Sequence, residues 1–371
     1  MNNETFKDAE KLKLPKFTYV LYAIFAFCLI LYFTAIYYTP FADFFNRYIS
    51  TIFRGTLATI TNILPISFAE LLVITLPISL FFIIRFAVNK YSSSWHNVGI
   101  FCLSILSLVA LFFSLFICSF GIGYYTSPLD KRLGLDKKTV DKNELAATAE
   151  WLMAEVNKEI ENIDFEEKSS SITPHTIREM NDILLQSYDK LSEELTFIPR
   201  LNSYIKPIML SEPMTYTHIS GVYTFFTGEA NLNTNAPDYW MVFTTAHELA
   251  HQRGIAREDE ANFVAFLVCT ASEDPYIRYC GYLNLCEYVL SALSRADRDL
   301  WEETYHKLDN RAIYEMIAYN KFYEKYSDNI VGDISGAIND AYLQANGTQG
   351  SISYGLVVDL AVAYFHAYIE N

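Results

Sequence analysis

The sequence predicts a mainly α-helical protein in two parts. A membrane anchor of three transmembrane helices comes first, then a helical α+β domain with a small β-sheet just before a helix that carries two histidines. Three observations carry this. The 371-residue chain is 51% hydrophobic, and the apolar excess lies ahead of residue 121. Beyond residue 139 the apolar positions recur at helical spacing. Between 205 and 235, β-branched and aromatic residues cluster among Pro, Gly and Ser, directly before two histidines four apart. The expected boundary places the anchor at 1–124 and the water-soluble domain at 125–371.

Residues 1–16 are polar and include Lys7, Lys11, Lys13 and Lys16. Residues 17–38 are an uncharged run, enough to cross about 30 Å of hydrocarbon as a helix. A cleaved signal peptide is the competing reading, but its apolar region is shorter and ends in a small-residue cleavage site. Residues 40–67 interleave Phe44, Phe45, Tyr48, Ile52 and Phe53 with Asp43, Arg47 and Arg54. That spacing suits an amphipathic helix at the membrane interface, or a short helix packed on the spans. A second span is expected at 68–88, kinked by Pro77 and with Arg85 snorkelling near its end. The third is expected at 98–120, closed by Gly121 and Gly123. None carries a metal motif, so an intramembrane protease is not indicated.

Charge divides the same way. Residues 1–124 hold 8 Lys+Arg and 5 Asp+Glu, a balance of +3; the rest hold 20 and 38, a balance of −18. An acidic soluble part argues against a nucleic-acid partner. The lysines before the first span outnumber Arg47 and Arg54 of the following loop, which favours a cytoplasmic N-terminus and an extracytoplasmic domain. Lys131, Arg132, Lys137, Lys138 and Lys142 pull the other way. Cys28, Cys102 and Cys118 fall in apolar runs, and Cys269, Cys280 and Cys286 show no metal-binding spacing.

The soluble part reads as helices at 140–163 and 174–195 with a turn at Ser169–Ser171, then a β-rich stretch at 208–210, 214–217 and 222–226. Pro237 opens the metal-binding helix at its N1 position. Helices are expected again at 275–293, 295–326, 331–345 and 353–369, with a turn at Asn346-Gly347.

The chemistry sits in Thr244-Thr245-Ala246-His247-Glu248-Leu249-Ala250-His251-Gln252-Arg253-Gly254. Histidines at i and i+4 share one helix face and can each offer a ring nitrogen to one ion. Glu248 stands beside the first, placed to take a proton from metal-activated water. Gly254 suits an αL cap that ends the helix. Glu258 and Glu260 then fall in the first turn of a second helix, where a tight reversal brings a carboxylate back over the histidine face. His96, His175, His218, His306 and His366 have no ligand-like spacing.

The pattern His247-Glu248-x-x-His251 is that of zinc peptidases. Glu258-x-x-Ala261-Asn262 resembles the second signature of gluzincins. That resemblance implies Glu258 as third zinc ligand, with Glu260 the alternate, and Asn262 as the outer partner that orients a histidine. The interval from His251 to Glu258 is shorter than in thermolysin-like enzymes. A metzincin would need a histidine where Arg257 stands. Zincins hold an extended peptide on an edge strand, which implies a substrate strand over 221–231, with Gly221, Tyr223 and Asn231 as contacts. They also use a later Tyr or His to stabilise the oxyanion, here Tyr279 or Tyr282.

The whole layout resembles an uncharacterised family of bacterial membrane proteins, a domain of unknown function, with three spans followed by His-Glu-Leu-Ala-His-Gln and Glu-x-Glu-Ala-Asn-Phe. The expectation is a zincin-like, membrane-anchored zinc metallopeptidase of the bacterial cytoplasmic membrane, acting on a peptide or protein substrate, with Zn2+ as cofactor and the lipid bilayer as partner. The alternative is a non-catalytic membrane scaffold or sensor with a structural zinc site.

Overall fold

The structure, a computed structural model, describes residues 11–370. Three helices are long and apolar enough to cross a membrane: α1 (Lys16–Tyr37), α4 (Phe68–Tyr91) and α5 (Trp95–Ser119). Ser67 and Ser94 accept the Glu70 and Asn97 amides and so start α4 and α5. Helix α1 packs along α5.

Between α1 and α4 the chain forms α2 (Thr39–Phe44), a π-helical turn (Phe45–Ser50) and α3 (Thr51–Thr61). In this connector Phe44, Tyr48, Ile52 and Ile60 are exposed, whereas Arg54 is fully buried. Its guanidinium donates to Asn46 Oδ1 at 2.9 Å, to the Ser119 carbonyl at 2.8 Å and to the Asn46 carbonyl at 3.0 Å. Asn46 in turn donates to the Gly254 carbonyl at 2.9 Å. An arginine that finds carbonyl partners inside the protein is held there, because leaving those groups unpaired costs more than its desolvation gains back in water.

Past a 3-10 turn (Gly121–Tyr125), α6 (Leu129–Leu133) leads into α7 (Lys142–Glu159) and α8 (Ile177–Glu194). Both longer helices begin with capping boxes, Asp141 with Glu144 and Thr176 with Glu179. A three-stranded sheet follows, β1 (Lys206–Pro207), β2 (Gly221–Thr224) and β3 (Glu229–Leu232), in the order β1-β3-β2. Strand β2 runs antiparallel to β3, with Tyr223 opposite Ala230, and among the described residues no strand pairs with its other edge.

Residues 208–210 and 214–217 are not strands as expected. The Met209 and Leu210 amides are taken by the Glu70 carboxylate at 2.9 and 2.8 Å, so no strand partner can use them. Residues Ser211–Thr215 form a short helix, α9.

Helices α10 (Asp238–Gln252), α11 (Glu258–Thr270) and α12 (Pro275–Ala296) make the centre of the domain, and α7, α8 and α16 (Val357–Tyr368) pack around them. Pro237 is the N-cap of α10, one position before the expected N1. Residues 295–326 are not one helix. Asp297 and Asp309 accept the Leu300 and Arg311 amides and start two helices, α13 (Arg298–Tyr305) and α14 (Asn310–Glu324). Helix α15 (Ile330–Ala345) and a 3-10 turn (Gly350–Leu356) precede α16. One apolar core runs through α7, α8, α10, α11, α12 and α16, with Leu152, Leu184, Leu249, Val264 and Leu283 at 0% exposure. Each such side chain contributes about 1.5–3 kcal/mol by burial, which makes α10 a rigid mount for its polar residues.

Candidate metal centre

Helix α10 ends in a Schellman turn: the Gly254 amide reaches the His251 carbonyl at 2.9 Å and the Ile255 amide reaches the Ala250 carbonyl at 3.1 Å. Gly254 sits at φ 91°, where a side chain would be strained. The turn also fixes the second histidine, because His251 Nδ1 donates to the Ile255 carbonyl at 2.7 Å. His247 Nδ1 donates to Asn262 Oδ1 at 2.8 Å. Both rings therefore present Nε2 to the same side.

Glu258, in the first turn of α11, completes the set. Its Oε2 lies 3.2 Å from His247 Nε2 and 3.3 Å from His251 Nε2. The three donor atoms lie within 4.8 Å of one another, and all three residues are buried. Two imidazole nitrogens and one carboxylate oxygen are a donor set that could hold a metal ion and leave a further coordination position open. Burial opposes ionisation of Glu258, but the two imidazoles overcome it and hold the carboxyl well below the usual range. Burial likewise works against the charged form of His251, and Glu258 outweighs it and raises the imidazole to about 9. This mutual charge stabilisation is what a cation would replace.

Glu260 points elsewhere. Its Oε1 accepts from Arg257 at 2.6 Å and from the Leu129 amide at 2.9 Å, and Arg132 lies 3.9 Å from its Oε2. The alternate ligand is thus a clamp between α11 and α6 and is absent from the donor cluster.

Glu248 is buried beside the cluster; the Tyr223 backbone hydrogen-bonds its carboxyl, while its Oε2 has no hydrogen-bond partner among the described residues. Burial pushes its carboxyl up, and the charges of His247 and His251 offset that only in part. Gly221 of β2 lies against it: a Cβ there would come within 2.7 Å of Glu248 Cγ and Oε1 and of Thr244 Cγ2. Only glycine lets the edge strand approach the acid this closely.

A cavity of about 420 Å³ opens over these groups, lined by Gly221 to Tyr223, His247, Glu248, His251, Glu258 and Asn262. That is enough for a short extended peptide segment or a drug-sized ligand. Tyr223 contributes backbone, while its ring packs on Phe120 at 5.2 Å. Asn231 is not in the cavity: it is buried on β3, and its Nδ2 donates to the Val222 carbonyl at 3.0 Å, bracing the edge strand from behind.

The expected oxyanion tyrosines are also elsewhere. Tyr279 is fully buried and donates to Glu315, and Tyr282 packs on Trp151 and Phe266. Tyr124, Tyr288, Tyr342 and Tyr354 line the cavity instead. With 27 tyrosines in the chain, residue type gave no signal to find these four. Burial first, then the charges of Glu258 and Glu248, push the Tyr354 phenol up, so it remains a donor.

Comparison with curated proteins and with solved structures returned no match. A family model does match, over residues 42–362, which take in the connector, two of the long apolar helices and the whole candidate centre. The chain belongs to the family described as Protein of unknown function (DUF3810).

Proposed function

We propose that the chain is a membrane-anchored, zinc-dependent peptidase. One observation carries the reading: the unpartnered Glu248 oxygen, buried in a cleft beside two imidazoles and a carboxylate whose free donor atoms converge. A purely structural metal site has no use for a carboxyl oxygen left unpartnered there. His247, His251 and Glu258 would hold the metal, with Asn262 and the Ile255 carbonyl orienting the rings. A zinc ion bound there supplies Lewis acidity and lowers the pKa of water.

Glu248, its affinity for a proton raised by burial, accepts the proton of the attacking water and returns it to the leaving amine. The edge of β2 away from β3 offers backbone groups to an extended peptide. Tyr288 and Tyr354, on the cavity wall, supply phenols toward the negative charge that develops on the carbonyl oxygen. Three helices long and apolar enough to cross a membrane support the anchored reading, and the lysines ahead of α1 favour an extracytoplasmic domain at a bacterial cytoplasmic membrane.

The test is Glu248→Gln in the purified full chain. Metal content should stay at the wild-type level while cleavage of a peptide mixture is lost. Equal turnover by variant and wild type, or a wild-type chain that binds no metal, would sink the assignment.

A further inference from the structure

Helix α15 roofs the cleft, and its two sides differ. Gly332, Ser335, Gly336 and Asn339, spaced i, i+3, i+4 and i+7, line the cavity. The opposite side carries Ile330, Val331, Ile334 and Ile338, exposed by 75%, 54%, 56% and 65%. Four large aliphatic side chains on three turns of one helix form a patch that water does not favour. Scattered exposed apolar residues are ordinary; a stripe over a functional cleft needs an occupant.

The fold indicates which occupant. Toward its C-terminal end α15 meets the spanning helix α5: Tyr342, at the cavity rim four residues past Ile338, sets its ring 6.2 Å from that of Phe116 and its hydroxyl 3.2 Å from that of Tyr124. Phe225 and Phe226, just past the edge strand, pack edge-on and tilted against Phe112 of α5, with centroids at 4.8 and 5.5 Å. Phe112 lies well inside the apolar helix Trp95–Ser119 and is itself 44% exposed. Helix α15, which bears the stripe, and the β2–β3 tip therefore both rest on the apolar wall of α5, beside the cleft.

The geometry points to the bilayer as the partner of α15: its isoleucine face docks on lipid, and the cleft admits a polypeptide segment as it emerges from the membrane. The substrate class is thus the juxtamembrane stretch of a membrane-anchored chain. This part rests on the peptidase reading, whereas the lipid contact does not. An amphipathic helix seated at the acyl boundary gains by burying its apolar face. Small residues on the inner face leave the roof close over the donor cluster without filling the cavity.

Two measurements decide it. Nitroxide labels at Ile334→Cys and Ile338→Cys are placed in the full chain with Cys102→Ser and Cys118→Ser, also carrying Glu248→Gln, in lipid nanodiscs. The labels should collide with oxygen and be shielded from an aqueous nickel chelate, as a label at Phe113→Cys is. Collision with nickel as free as at exposed Glu302→Cys overturns lipid docking. Shielding from both quenchers also overturns it and assigns the stripe to a second protein surface.

In the second measurement, Ile334→Asn with Ile338→Asn should cut a single-span peptide in vesicles at least about tenfold more slowly, while cutting the same sequence as a soluble peptide at the wild-type rate. Equal loss on both substrates overturns the substrate class. A wild-type chain that cuts neither peptide sinks the peptidase reading and the substrate class with it, while the labels still decide whether α15 meets lipid.

Discussion

Asn262 Oδ1 takes the Nδ1 proton of His247 at 2.8 Å, and this one bond decides which nitrogen of the ring is free. The asparagine is held in turn, since its amide reaches Tyr288 Oη at 3.3 Å and the Tyr354 carbonyl at 3.4 Å. Such outer contacts typically hold a factor of about 10–100 in metal affinity. Asn262→Ala should weaken zinc binding by that factor, measured by competition with a chromophoric chelator, while Asn262→Asp retains it. An alanine variant with wild-type affinity would show that ring orientation is set elsewhere.

Glu258 and Glu260 differ by two positions and do different work. Glu258→Gln removes an anionic donor and should abolish stoichiometric metal, with folding retained because neutral glutamine still fits between the imidazoles. Glu260→Gln should keep the metal and lower stability by about 1–3 kcal/mol, because Arg257 and the Leu129 amide lose a charged acceptor. Metal content and thermal unfolding of the two variants separate the roles. Metal loss in Glu260→Gln with retention in Glu258→Gln would reverse the assignment.

Gly221→Ala tests the closeness of the edge strand to the base. The added methyl would fall 2.7 Å from Glu248 Cγ and Oε1, so the acid or β2 must shift. A displacement near 1 Å at reacting groups costs about 100-fold in rate. The expected result is that loss in kcat with metal content unchanged. Unaltered kcat would mean that Glu248 does not act from the position seen here.

What the sequence made legible was local. His247, Glu248, His251, Gly254 and Glu258 lie within twelve consecutive residues, and their relations follow from helix periodicity and one αL turn. The three spans were equally readable, because length and apolarity alone define them. The rest depended on distant contacts. Glu258 and Glu260 could be separated only once Leu129 and Arg132 were seen beside the latter. Residues 209 and 210 have strand-like side chains, yet Glu70 of the long apolar helix α4 takes their amides. The cavity tyrosines come from 3-10 turns and helices far apart in the chain. Arg54 falls in a stretch that suits either an interfacial helix or one packed on the spans, and only the fold shows it buried on the carbonyls that tie the connector to α5.

A titration separate from the metal centre is built into the core behind it. Burial pushes the Glu287 carboxyl up to about 7, with the nearby Glu315 charge acting in the same direction and the Tyr239 hydroxyl, 2.9 Å away, opposing. The folded chain therefore binds this proton more tightly than the unfolded one. The contribution to stability is complete below the ordinary carboxyl range near 4.5 and is lost as pH rises toward 7. Allowing for partial solvent access, the loss is on the order of 2 kcal/mol. Glu287→Gln keeps an acceptor for Tyr239 and removes the charge. Its stability relative to wild type, from denaturant unfolding in detergent, should rise by that amount between about pH 5 and pH 8 and then level off. A difference that stays flat across this window would mean that Glu287 is ionised in the folded protein at an ordinary pH.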